Sequence, residues 1–230
     1  MIACVGCSWT YGLGVKDNES YPAHLQDYLD IPVINAGFLG SSVMHSIWTA
    51  YKLLKEYDIK IVLLQLSTYD RWTSCIDGRT NFIEDRPTSG AEEYIYDSDE
   101  LQSPYKRVFN VSADYYYHLL TQAQYLKHKD GSEPKDIAMS YLYENVIYSN
   151  FHFSQLNSQI DMLNSHCEYN NSKLVVFNWI KQPSEFTQNK LSVYETFGDK
   201  YIIDNGYHYN SKGLKRVATE YVYPLIQKFL

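Results

Sequence analysis

The chain has 230 residues, 45% of them hydrophobic and 20% charged, with a formal net charge of −7. That length supports a single domain, residues 1–230, with a full core, and an acidic balance without a Lys/Arg cluster argues against a nucleic-acid partner. No stretch approaches the roughly 18 apolar residues of a membrane span, so no membrane partner is expected. A first strand beginning at residue 2 leaves no place for a signal peptide, and the expected location is cytoplasmic. Tyrosine stands out at 23 residues, through compositional drift or as aromatic surfaces for a sugar or a partner. Of the four cysteines, Cys4 and Cys7 form a C-x-x-C with no second ligand pair at compatible spacing, so neither a metal nor another cofactor is expected.

Ile2 to Val5 is a short apolar run that stops at Gly6, and Cys7, Ser8 and then Gly12 follow. The pattern predicts a buried strand ending in a tight turn that carries an exposed serine. Tyr21, Leu25, Tyr28 and Leu29 recur at helical spacing, with Pro22 at the start and Ser20 or Tyr21 at the cap. Ile31 to Ile34 predicts a second strand, Asn35 to Ser42 a loop, and Val43 to Tyr57 an amphipathic helix. Ile59 to Leu66 is nearly continuous apolar and predicts a central parallel strand. This β-α-β-α-β order predicts an α/β fold, a three-layer α/β/α sandwich around a mostly parallel sheet. Loops at Ser8, Gly40 and Ser67 to Trp72 would then meet at one sheet edge, where open α/β sheets bind ligands.

Periodicity is lost from Thr73 to about Ser103, an acidic stretch, and Val111 to Lys127 has the spacing of a helix. The segment at about 72–135 is expected to be an insertion, lid-like or helical, or simply solvated. Asp136 to Cys167 predicts one long helix or two, and Lys173 to Ile180 a buried strand. Tyr201 to Ile203 predicts a short last strand, and Leu214 to Val222 a closing helix bent or ended by Pro224. His118, His128, His152 and His166 have no Asp or Glu partner at metal-ligand spacing and are expected in the core or at the surface.

Four motifs carry chemistry. GCSWTYG (Gly6 to Gly12) resembles the GDSxxxG first block of the SGNH (GDSL-type) hydrolases. NAGFLGSS (Asn35 to Ser42) resembles their second block, and LSTYD (Leu66 to Asp70) stands where their GxND block belongs. NGYHYNSKG (Asn205 to Gly213) resembles their last block, DGxHPNxxG. The blocks occur in family order at both ends of the chain, and residues from Trp72 to Asn170 match none of them. The resemblance implies a flavodoxin-like fold and a serine esterase that needs no cofactor. Ser8 would be the nucleophile and His208 the base, with the amides of Ser8 and Gly40 in the oxyanion hole.

Three residues depart from the pattern. Tyr69 stands in place of the third-block asparagine, so its hydroxyl would have to supply the oxyanion donor from a different direction. Asn205 stands where the family has its acid, three residues before the histidine, while Asp204 lies one residue earlier; either could orient His208. Cys7 replaces an aspartate that is not a catalytic member. The expected function is hydrolysis of a short-chain ester or O-acetyl group, on a small-molecule or carbohydrate substrate, through an acyl-serine intermediate. The alternative is a catalytically impaired SGNH-like binding module or an assembly protein that keeps only the fold.

Overall fold

Strands buried on both faces need helices on both sides of the sheet, and the first three strands are of this kind. The structure, a computed structural model, describes residues 1–39, 41–67, 72–77, 115–120, 150–183, 191–204 and 207–230. Strands β1 (Ile2–Gly6), β2 (Val33–Gly37) and β3 (Ile61–Leu66) are buried at every residue. Two further strands, β4 (Trp72–Asp77) and β5 (Tyr115–Leu120), pair with each other in antiparallel register, Trp72 opposite Leu120. A sixth, β6 (Lys173–Asn178), joins the main sheet, whose order is β2-β1-β3-β6 with every pair parallel. Gly6 lies opposite Gly37, and Leu66 opposite Asn178, so the C-terminal strand ends share one edge.

Alternation along the strands divides the core. Ile2, Cys4, Leu63 and Phe177 face one way, against Tyr21 and Leu25 and against Leu214, Val217 and Val222. Ala3, Val5, Val62 and Leu64 face the other way, against Ile47, Leu53, Leu156 and Leu163. The helices that cover the sheet are α2 (Tyr21–Leu29) and α6 (Ser211–Arg216) on the first face, α3 (Val43–Glu56) and α4 (Asn150–Tyr169) on the second. The short helices α1 (Ser8–Tyr11) and α5 (Val193–Phe197) follow strand ends. This is the expected α/β/α sandwich.

Local signals account for the helix starts. The Ser20 hydroxyl accepts the Ala23 amide, so Ser20 and not Tyr21 is the cap, with Pro22 in the first turn. The Ser42 hydroxyl accepts the His45 amide, and Ser192 with Glu195 forms a capping box. At the C-terminus α6 widens into a π-helical stretch, Val217–Val222, before α7 (Tyr223–Ile226). The widening falls in the turn before Pro224, which lacks an N–H and crowds an ordinary i−4 carbonyl.

Three expectations are corrected. The helix expected over Val111 to Lys127 is a strand at Tyr115–Leu120, and the non-periodic stretch from Thr73 begins as a strand at Trp72–Asp77. Three successive tyrosines favour a strand, and a short apolar run does not distinguish helix from strand without its partner. The strand expected at Tyr201 to Ile203 is a single bridge between Ile202 and Tyr209. The rest of the segment at 72–135, and the helix expected before Asn150, lie outside the described residues.

Candidate active site

Ser8 sits where β1 runs out. Cys7 is the N-cap of the one-turn helix α1, and Gly12 closes it at φ 89°, its amide donating to the Ser8 carbonyl at 3.0 Å. A Cβ at Gly12 would be strained at that φ. Close packing explains the glycines at the strand ends. A Cβ on Gly37 would stand 2.2 Å from the Tyr11 nitrogen, and one on Gly6 would stand 2.3 Å from Thr10 Oγ1. The helix therefore rests directly on the ends of β1 and β2.

Gln65 fastens it from β3. Its fully buried Oε1 accepts from the Cys7 amide at 3.0 Å, from Thr10 Oγ1 at 3.0 Å and from Cys7 Sγ at 3.3 Å. Its Nε2 donates to the Leu66 carbonyl. Sequence reasoning missed Gln65. The signal was present as a lone amide in the apolar run IKIVLLQL, and a buried amide must find partners.

At the far end of the chain, the bridge between Ile202 and Tyr209 and the bond from the Ile203 amide to the His208 carbonyl, 2.9 Å, pinch off a loop. Asp204 and His208 lie in this loop. His208 Nδ1 is 2.7 Å from Asp204 Oδ2 and 2.9 Å from Oδ1, and the His208 amide donates to Oδ1 at 3.3 Å. His208 Nε2 is 2.9 Å from Ser8 Oγ. A carboxylate only accepts, so Nδ1 carries the proton and Nε2 is left to accept from the serine hydroxyl. Ser8 is 5% and His208 9% exposed, whereas the Asp204 side chain is 43% exposed. The serine expected to be exposed is thus mostly covered, its hydroxyl turned to the imidazole.

Of the expected site residues, Ser8, Asp204 and His208 come together, while Gly40, Tyr69 and Asn205 lie outside the described residues. Cys7 is buried with its thiol on Gln65, and Cys4 is buried with its thiol pushed up by desolvation. Both are free thiols. Among the described residues, no group of three or more His, Cys, Asp or Glu is placed to hold a metal ion, and no helix is long and apolar enough to cross a membrane. Sequence reasoning also passed over His45. It is buried in the first turn of α3, with Nδ1 2.9 Å from Ser41 Oγ, and burial lowers its pKa to about 4, so it is neutral in the fold at neutral pH. Ser41 also meets Ser46 Oγ at 3.1 Å, which anchors the chain that leaves the loop of the second motif.

No family model matches the chain, and no curated protein matches it in sequence. Solved structures similar in shape include TesA and the esterase EstA. TesA is 13% identical with a TM-score of 0.55, over 100% of this chain and 99% of that chain. The psychrotrophic esterase EstA from Pseudoalteromonas sp., in a structure inhibited by monoethylphosphonate, is 15% identical with a TM-score of 0.54, over 99% of this chain and 97% of that chain. Identities this low speak to fold alone, and they cover the chain from end to end. With the four motifs in order along that shared architecture, the chain has the fold of the SGNH (GDSL-type) hydrolases.

Proposed function

We propose that the protein is a serine hydrolase that cleaves a short-chain ester or O-acetyl group through an acyl-serine intermediate. The observation that carries this reading is the hydrogen-bonded series Ser8 Oγ, His208 Nε2, His208 Nδ1, Asp204 carboxylate. Nucleophile and base lie within proton-transfer reach, and a third group fixes the tautomer. The similarity to EstA, an esterase by its description, agrees with it.

In the first step Ser8 Oγ bonds to the ester carbonyl carbon while its proton passes to His208 Nε2. Asp204 stabilises the imidazolium that forms. The negative oxygen of the tetrahedral intermediate would be held by the amides of Ser8 and Gly40 and by the Tyr69 hydroxyl. The proton then moves from Nε2 to the leaving alkoxide, the C–O bond breaks, and the acyl group stays on Ser8. Water, deprotonated by His208, reverses the sequence and releases the acid. If an alcohol takes the place of water, the same steps transfer the acyl group.

The test is hydrolysis of p-nitrophenyl acetate and butyrate by the wild type, Ser8→Ala and His208→Ala, with mass mapping of a fluorophosphonate label. Turnover lost in both variants, with the label on Ser8, is the expected result. Equal rates in all three proteins with Ser8 unlabelled would overturn the reading in favour of a binding module.

A further inference from the structure

Trp179 follows the last residue of β6 and is fully buried. Its indole N–H donates to the Tyr207 carbonyl at 3.1 Å. Tyr207 has φ 59°, in the left-handed region that a residue with a Cβ enters only at a cost. The peptide unit that joins Tyr207 to His208 is therefore held on both sides. Its carbonyl is gripped by Trp179, and its N–H, from His208, faces Asp204 Oδ1 at 3.3 Å.

The indole ring is fixed in turn. It stacks on Trp9 with centroids 5.7 Å apart and planes 9° apart, and Trp9 is the residue after Ser8. The Trp9 ring also lies 6.5 Å from the His208 ring. Trp179 also meets Tyr209, the residue after His208, with ring centroids 5.6 Å apart. One rigid aromatic stack thus touches the backbone neighbours of both the serine and the histidine, and offers its N–H to the carbonyl of the left-handed Tyr207.

We propose that Trp179 is a positioning residue, which sets the His208 imidazole against Ser8 by holding the Tyr207 carbonyl in its left-handed turn. The proposal rests on the hydrolase reading for its consequence in turnover, but its geometry can be tested separately. Removal of the N–H alone would let the turn relax toward an ordinary φ and carry the imidazole out of line. Glycine at position 207 adopts the same φ without cost, so it should restore the geometry without the indole bond.

The experiment compares the wild type with Trp179→Phe, with β-(benzothiophen-3-yl)alanine incorporated at position 179, and with Trp179→Phe/Tyr207→Gly. The benzothiophene keeps the bicyclic shape and replaces the N–H by sulfur, so it tests the bond even if Trp179→Phe folds poorly. Expected are a tenfold or greater fall in kcat on p-nitrophenyl acetate for both single replacements, with KM within twofold, and a recovery of at least threefold in the double variant. An unchanged kcat in the benzothiophene protein, or no recovery in the double variant, would overturn the proposal. The low-field proton resonance of His208 Nδ1–H, assigned by its loss in His208→Ala, gives a readout independent of turnover. It should broaden or shift in the benzothiophene and Trp179→Phe proteins and return in Trp179→Phe/Tyr207→Gly. This pattern across the variants, with a wild type that shows no turnover, refutes the hydrolase reading alone. A resonance indifferent to the N–H refutes the positioning role.

Discussion

Gln65→Leu removes the acceptor on which the start of α1 is hung, at little change in side-chain volume. The Cys7 amide, now 3.0 Å from Oε1, would be left buried without that partner, which costs about 1–3 kcal/mol. The Thr10 hydroxyl has a fallback in the Tyr21 hydroxyl, 3.3 Å away, and the Cys7 thiol is only a weak donor. The Leu66 carbonyl also loses the Nε2 donor. Taken together the variant should be destabilised by about 2–3 kcal/mol. Urea unfolding should show the midpoint falling with the slope unchanged. Because Cys7 and Thr10 bracket Ser8, kcat on p-nitrophenyl acetate should fall as well, with KM less affected. A loss of stability below about 0.5 kcal/mol, the scale of an ordinary surface substitution, together with wild-type turnover, would show that Gln65 does not hold the turn.

Burial holds His45 at about 4 in the fold, below the ordinary 6.5, so between these values the unfolded chain binds a proton that the folded chain refuses. The associated stability is complete above pH 6.5 and is lost as pH falls toward 4, up to about 3 kcal/mol at order of magnitude. His45→Gln should remove that part of the slope in urea midpoint against pH, and parallel profiles would refute the assignment. Gly37→Ala would place its Cβ 2.2 Å from the Tyr11 nitrogen, a backbone atom with no rotamer to escape into. A loss of about 1–3 kcal/mol or more is expected, with turnover reduced because α1 must shift; thermal unfolding and the ester assay report each part. Asp204→Asn should leave the fold nearly as stable but lower kcat by about 10² or more, since an amide can hold the wrong imidazole tautomer. Rates within threefold of wild type would exclude Asp204 from that role.

The sequence by itself determined what depends on near neighbours along the chain. Continuous apolar runs at Ile2 to Val5 and Ile59 to Leu66 marked buried strands, and helical spacing marked α2 and α3, whose serine caps the structure supplied. Their alternation then required a parallel sheet with its site-bearing loops on one edge. Ser8 and His208 could be named as candidates from the sequence because their flanking motifs are local.

What only the tertiary structure decided involves partners far apart in sequence. Ser8 and His208 are 200 positions apart, and their 2.9 Å contact follows from the packing of α1 and the C-terminal loop at one sheet edge. The sequence left Asp204 and Asn205 open. The pinched loop, closed by the Ile203 amide on the His208 carbonyl, puts the Asp204 carboxylate on Nδ1. The tyrosines at Tyr115 to Tyr117 became a strand because Cys75 to Asp77 lie opposite them, and no local period contains that information. Gln65 and Trp179 read as ordinary members of apolar strands. Their roles arise only where a buried amide and a buried indole meet the backbone of another element, because a buried polar group is satisfied by whatever the fold brings within reach.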